Sequence, residues 1–157
     1  QSFLPFLLGK TDQHRTHTFS QQTSKGISDG PVHYGIRSIR NERYRYIRNL
    51  TPEVVFQNTA TAHKPFPSWI QAAKNGDTQA AKLVRDYQHR PAEELYDCDT
   101  DPWNRHNLID EKTLAPVVAD LKERLAAWMK SQGDEGQATE EKALTRMPRK
   151  QAAEDAD

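Results

Sequence analysis

The most telling segment of the chain runs Tyr34-Gly35-Ile36-Arg37-Ser38-Ile39-Arg40-Asn41-Glu42-Arg43-Tyr44-Arg45-Tyr46-Ile47-Arg48-Asn49-Leu50. Two runs rich in aromatic and β-branched residues flank Asn41-Glu42, a spacing that predicts a β-hairpin with its tight turn at those two residues. Alternation places Arg43 and Arg45 away from Tyr44 and Tyr46, so one face is expected in the core and the other in solvent. Upstream, His17-Thr18-Phe19 reads as an earlier strand, and downstream Glu94-Leu95-Tyr96-Asp97 reads as another. Between the first strand and the hairpin, Thr23 to His33 holds Gly26, Gly30 and Pro31 and is expected to be a loop.

The helix signals lie beyond the hairpin. Leu114, Val117, Val118, Leu121, Leu125 and Trp128 recur at spacings of three and four and form one apolar stripe. Thr113 is placed to cap its start, Pro116 is tolerable in the first turn, and Gly133 suits its end. A second helix is expected from Asp77 to about His89, stopped by Pro91, with a short helical turn at Ser68–Ala73 before it. Gly133 to Asp157 is dense in charge and poor in large apolar residues, which predicts a solvated, disordered tail with helix at most around Glu140–Thr145. The fold class is α+β: a small antiparallel sheet of about four strands, packed against the C-terminal amphipathic helix, with a disordered polar tail.

Of the 157 residues, 22 are basic and 22 acidic, and 35% are hydrophobic, a low share for a globular domain. Zero net charge removes the global electrostatic case for nucleic acid or an anionic membrane. One cysteine excludes an internal disulfide and a thiolate zinc site. The apolar run Phe3-Leu4-Pro5-Phe6-Leu7-Leu8 is far short of the ~20 residues that span a bilayer. It has no basic region before it and no small-residue cleavage site after it, so it does not read as a signal peptide. With Gln1 first, the chain reads as part of a longer protein.

Five arginines, at 37, 40, 43, 45 and 48, fall in the hairpin beside Tyr44 and Tyr46. Guanidinium forks bind sulfate, phosphate or carboxylate, and tyrosines stack on bases or sugars. Solvated or interdomain arginines, contacts to sulfated or carboxylated sugars and an RNA-binding sheet therefore all remain open. His14 and His17, with His33, His63 or Asp12, have the residue types of a metal site, but two rings three residues apart in an extended segment point to opposite faces. Asp97, Asp99 and Asp101 resemble the start of a calcium loop, yet Pro102 and Leu108 break its pattern, and a polar turn is expected instead. The acidic neighbours of Cys98 blunt its nucleophilicity. Asn49-Leu50-Thr51 has the form of a glycosylation sequon. These residues contain no complete catalytic constellation.

Three blocks in order resemble the C-terminal end of the sulfatase family. Ser2-Phe3-Leu4-Pro5-Phe6-Leu7-Leu8-Gly9-Lys10 is similar to its S-F-L-P-L-L-x-G segment. Residues 34–50 resemble its Y-P-I-R-S-V-R … R-Y-K-Y-I-x-N-L hairpin, with Gly35 where proline is usual. Glu94-Leu95-Tyr96-Asp97-Cys98-Asp99-Thr100-Asp101-Pro102 with Asn107-Leu108 resembles E-L-Y-D-x-x-x-D-P-x-E-x-x-N-L, with Trp103-Asn104 in place of the usual acidic residue. Thr23-Ser24-Lys25-Gly26-Ile27 and Pro65-Phe66-Pro67 bring the chain nearest the heparan N-sulfatase (sulfamidase) branch and its bacterial relatives.

The resemblance implies a division into a remnant of the link from a catalytic domain (1–20), a sulfatase C-terminal subdomain (21–132) and the tail (133–157). It implies a parent hydrolase acting on sulfated sugars, heparan sulfate among them, through a formylglycine nucleophile and a calcium ion, neither belonging to this piece. Cys98, followed by Asp99-Thr100-Asp101, does not fit the C/S-x-P-x-R motif from which formylglycine is made. The implied partners are the chain's own catalytic α/β domain and the sugar, with no nucleic acid and no membrane. Thr23, Lys25 and Arg37 are the implied substrate-binding residues, Arg37 near the domain interface. Exposure of Phe3, Phe6, Leu7 and Leu8 in the isolated piece predicts self-association or partial disorder over 1–20. A periplasmic, secreted or lysosomal location follows from the family. A non-catalytic arginine- and tyrosine-rich module binding RNA or sulfated polysaccharide is the alternative.

Overall fold

The computed structural model describes residues 2–23, 34–63 and 65–146. Four strands, β1 (Thr18–Gln22), β2 (Ile36–Arg40), β3 (Tyr44–Asn49) and β4 (Glu93–Asp97), form one sheet in the order β1-β2-β3-β4. The strands β2, β3 and β4 are antiparallel neighbours, with Ile39 opposite Tyr46 and Tyr46 opposite Leu95. The helices are α1 (Leu4–Leu7), α2 (Thr59–Ala62), α3 (Phe66–Lys74), α4 (Thr78–Gln88), α5 (Ala115–Ser131) and α6 (Gln137–Glu141). The α+β architecture agrees with the hydrophobic patterning of the sequence.

The chain divides into two compact units. One comprises Gln1–Gln21, Ile36–Asn49 and Pro91–Gln132, and the other Gln22–Gly35, Leu50–Arg90 and Gly133–Asp157. In the first unit the apolar stripe of α5 covers one sheet face. Leu121, Leu125 and Met129 join Ile39, Tyr46 and Leu95 in a buried cluster, and Phe19, Val117, Val118 and Trp128 pack around it. Phe19 and Trp128 stack with ring centroids 5.1 Å apart. An ion pair from Lys122 to Glu93 joins α5 to β4. Burial pushes the Glu93 carboxyl up, but Lys122, Tyr46 and Arg48 outweigh it and hold the group below its usual range. The Tyr46 phenol is pushed up by its burial and by the neighbouring Glu93.

Two expectations about these elements need correction. Thr113 does not cap α5: a 3₁₀ turn over Lys112–Leu114 precedes the helix, whose N-cap is Leu114 without a side-chain hydrogen bond. The hairpin turn falls at Glu42-Arg43, one residue later than expected. Asn41 N donates to Tyr44 O at 3.0 Å, and Asn41 Oδ1 accepts from Arg43 N and Tyr44 N at 3.0 and 2.6 Å. The asparagine side chain thus closes the turn by mimicking a backbone acceptor, an option that residue spacing does not reveal.

The sheet face opposite α5 is not simply solvated. Ile36, Ile47, Asn49, Glu94 and Tyr96, which share that face by register, are all buried. Asn49 Nδ2 donates to Glu94 Oε1 and to Pro91 O, both at 2.6 Å, and Tyr96 Oη donates to Glu94 Oε2 at 2.5 Å. These bonds satisfy a buried carboxylate that would otherwise be costly. Asn49 is 3% exposed and its Nδ2 is committed to Pro91 O and Glu94, so the sequon of residues 49–51 offers no free amide nitrogen to a glycan in this fold.

The second unit is built on α3 and α4 and an aromatic chain. Tyr34, Phe56, Tyr87, Phe66 and Trp69 meet in succession with centroids 4.9–6.0 Å apart. Asp77 caps α4 as expected, accepting from Gln79 N and Ala80 N at 2.9 and 3.0 Å. The helical turn expected at Ser68–Ala73 is the longer α3.

Residues 133–146, expected to belong to a solvated tail, instead fold: α6 is followed by a 3₁₀ turn over Ala143–Arg146, and Glu140 is buried. The rest of the expected tail, 147–157, lies outside the described residues. A Cβ on Gly35 would meet Glu140 Cγ at 2.7 Å and Leu50 Cδ1 at 2.8 Å. That approach accounts for the departure from proline at this position.

Candidate functional site

The sheet register determines where the hairpin arginines go. Arg37 faces Arg48 and Arg40 faces Arg45 across β2 and β3. Like charges directly opposite one another repel, so each pair needs a reason. Arg37 is 1% exposed and donates from Nη1 to Ile36 O at 3.1 Å. The side chains of Arg40 and Arg45 make no hydrogen bond or ion pair among the described residues.

Arg40 opens onto a groove of about 920 Å³ at the turn end of the hairpin, lined also by Arg15, His17, Glu42, Arg43 and Asp120. The turn itself is tied to β4 by Arg43. Arg43 donates from Nε and Nη2 to Asp97 Oδ2 at 3.0 and 2.8 Å, and its guanidinium lies 5.0 Å from the centre of the Tyr44 ring. This contact with Arg43, helped by the amides of Asp99 and Thr100, holds the Asp97 carboxyl below the usual carboxylate range against the opposing effect of burial. Asp120 is likewise held low, first by the Arg124 guanidinium, which reaches both its oxygens at 2.9 Å, and also by the charge of His17. Thr16 and Thr18 add hydroxyls to the lining, and Thr16 Oγ1 lies 2.9 Å from His17 Nδ1.

The other candidates separate. His14 stacks on Phe3 with centroids 3.9 Å apart and contacts Ser2 O through Nε2, whereas His17 belongs to the groove. His33 lies outside the described residues. Among the described residues no three His, Cys, Asp or Glu side chains are placed to hold a metal ion together. Asp97 and Asp101 organise turns: Asp97 Oδ1 accepts from Asp99 N at 3.1 Å, and Asp101 Oδ2 accepts from Arg105 N and His106 N at 2.5 and 2.8 Å. Asn104 completes the second turn in the left-handed region, with φ 52°. Cys98 is half-buried after β4, its amide donating to Arg43 O at 2.7 Å. Thr23 follows β1 and is half-buried, while Lys25 lies outside the described residues.

At the chain's start, α1 exposes an apolar surface. Phe3 is 56%, Leu4 58%, Leu7 73% and Leu8 58% exposed. Such a contiguous patch is uncommon on a free-standing soluble protein. Among the described residues no helix is long and apolar enough to cross a membrane.

No protein-family model matches the chain. In sequence it is similar to an ulvan-active sulfatase of Formosa agariphila, at 31% identity over 134 residues, covering 85% of this chain and 24% of that protein. A second ulvan-active sulfatase of the same bacterium is 26% identical over 117 residues, covering 71% of this chain and 19% of its own length. The chain therefore spans about a quarter or less of the length of these relatives. In fold it is similar to a 2-O GAG sulfatase (TM-score 0.52, 18% identity, 88% of this chain and 21% of that one). A candidate sulfatase of Bacteroides thetaiotaomicron gives a TM-score of 0.51 at 19% identity with the same coverage. The sequence relatives support a sulfatase-type subdomain, and the structural neighbours share its fold.

Proposed function

We propose that this chain is the C-terminal subdomain of a sulfatase that removes sulfate from a polysaccharide, and that it supports the catalytic domain and walls the substrate pocket. The observation that carries this reading is the alignment of 134 residues to only 24% of a sulfatase. The substrate assignment follows the named relatives toward ulvan or a glycosaminoglycan. The likeness of Thr23–Ile27 to the heparan N-sulfatase branch adds N-sulfated glucosamine as the finer candidate. An exported or lysosomal location accompanies the reading.

Sulfatase chemistry needs a formylglycine and a calcium ion, and the described residues fit neither. Asp99-Thr100-Asp101 after Cys98 lacks the proline and arginine of the modification motif, and no metal-ligating triad is present among the described residues. The proposal assigns both to sequence beyond this chain and derives no chemical step here. What this chain contributes is shape and charge. The apolar patch of α1 is assigned to the catalytic domain, which relatives about four times as long have room to supply. Without that cover, the chain self-associates at high concentration. Light scattering would show the association, and Leu7→Glu would abolish it; a monomer at millimolar concentration would contradict the assignment.

Thr23 and Lys25 are assigned to the sugar's hydroxyls and anionic groups. Arg37, enclosed within the chain, is assigned to holding β2 in position. A charged contact is worth about 1.5–3 kcal/mol, so Lys25→Ala in the complete enzyme lowers kcat/KM by about 10- to 150-fold. The neutral hydroxyl of Thr23 is worth about 0.5–1.5 kcal/mol, and Thr23→Ala costs correspondingly less. Steady-state kinetics on sulfated ulvan and heparan oligosaccharides would measure both. Unchanged kcat/KM for both variants on both substrates would remove this loop from the pocket.

A further inference from the structure

We propose that the groove at the turn end of the β2–β3 hairpin binds one anionic sugar residue, with Arg40 as its anion anchor. The sugar's identity rests on the sulfatase reading; the anion site rests on the geometry. The first support is the Arg40–Arg45 pair, two arginines directly opposite in the register of adjacent strands whose side chains have no acceptor among the described residues. Directly opposed like charges destabilise a sheet, and an anion on one of them relieves the repulsion. A guanidinium fork matches two oxygens of a sulfate or carboxylate.

The second support is the lining. Beside Arg40 stands Arg43, whose Nε and Nη2 are committed to Asp97 while Nη1 has no partner among the described residues. Because Asp97 and Tyr44 fix that guanidinium, an anion would meet a charge already in place, without the entropy cost of ordering a free side chain. Glu42 and Asp120 supply carboxylates, and Thr16 and Thr18 supply hydroxyls. A mixture of cations with carboxylate acceptors suits a pyranose carrying one anionic substituent among several hydroxyls: arginine takes the anion and carboxylates accept from the O–H groups. It suits a continuous phosphate backbone poorly, because Glu42 and Asp120 would repel it and the chain has no net positive charge to offset them. The groove volume of about 920 Å³ lies within the range of small-ligand sites.

The test is affinity electrophoresis of the whole chain through gels containing a sulfated, uronic-acid-bearing polysaccharide, the same polysaccharide after desulfation, or single-stranded RNA. It requires no sulfate release, so its outcome is separate from that of the sulfatase reading. The expected result is retardation by the sulfated polysaccharide that weakens about tenfold or more in Arg40→Ala and is partly restored in Arg40→Lys. Arg105→Ala, which removes the same charge from an exposed loop elsewhere, leaves it unchanged. Retardation that survives desulfation and still depends on Arg40 would identify the sugar carboxylate as the anion. No retardation, equal losses in Arg40→Ala and Arg105→Ala, or Arg40-dependent binding of RNA as tight as that of the polysaccharide would each overturn the proposal.

Discussion

Truncating Leu121 to alanine is expected to cost about 2–5 kcal/mol of stability. Leu121 is 0% exposed at the centre of the contact between α5 and the sheet, where Ile39, Tyr46 and Leu95 present one continuous apolar face. Removing its isobutyl group takes away buried apolar area and leaves a cavity that strands tied by backbone ladders cannot collapse to fill. A loss of about 3 kcal/mol moves the urea midpoint by about 1.5 M at a slope of about 2 kcal/mol per molar. Glu123→Ala, two residues along on the exposed side of the same helix, is expected to stay within about 0.5 kcal/mol. Chemical denaturation followed by circular dichroism separates the two cases. Equal midpoints for the two variants would mean that α5 does not pack on the sheet through this stripe.

That stripe was legible in the sequence because its spacing is local: three- and four-residue repeats declare a face whatever it packs against. The hairpin was legible for the same reason, and so was the cap at Asp77. The turn at Glu42-Arg43 was displaced by one residue because Asn41 uses its side chain as an acceptor. That displacement matters, since it sets Arg40 opposite Arg45 and turns a sequence cluster of five arginines into two facing pairs.

What spacing could not show was the pairing of buried polar groups. Asn49 bonds Glu94 across 45 positions of sequence, Tyr96 closes on the same carboxylate, and Glu140 approaches Gly35 from more than a hundred residues away. A charged residue in a polar stretch gives no local sign that it will be buried, which is why 133–146 read as tail. The groove was not legible either, because its lining comes from β1, the hairpin and α5 together.

The second large effect concerns catalysis. If the bond-breaking groups lie in the part of the relatives that this chain does not align with, then this chain cannot supply transition-state stabilisation for sulfate transfer. Enzymes accelerate hydrolysis by at least about 10⁶-fold, and most of that comes from positioned nucleophiles and electrostatic stabilisation of developing charge. A chain with the proposed role would hold neither, so the expected difference between it and the complete enzyme is the whole of that factor. Shape alone cannot make up the deficit, since binding energy that acts equally on substrate and transition state does not raise kcat.

Sulfate released from a sulfated polysaccharide, counted by ion chromatography, tests the account most directly when the 157-residue chain is compared with the polypeptide extended through its upstream coding sequence. The account predicts release by the extended protein and background from the chain alone. Turnover by the 157 residues unaided, or an extended protein inert on every sulfated polysaccharide offered, would contradict it.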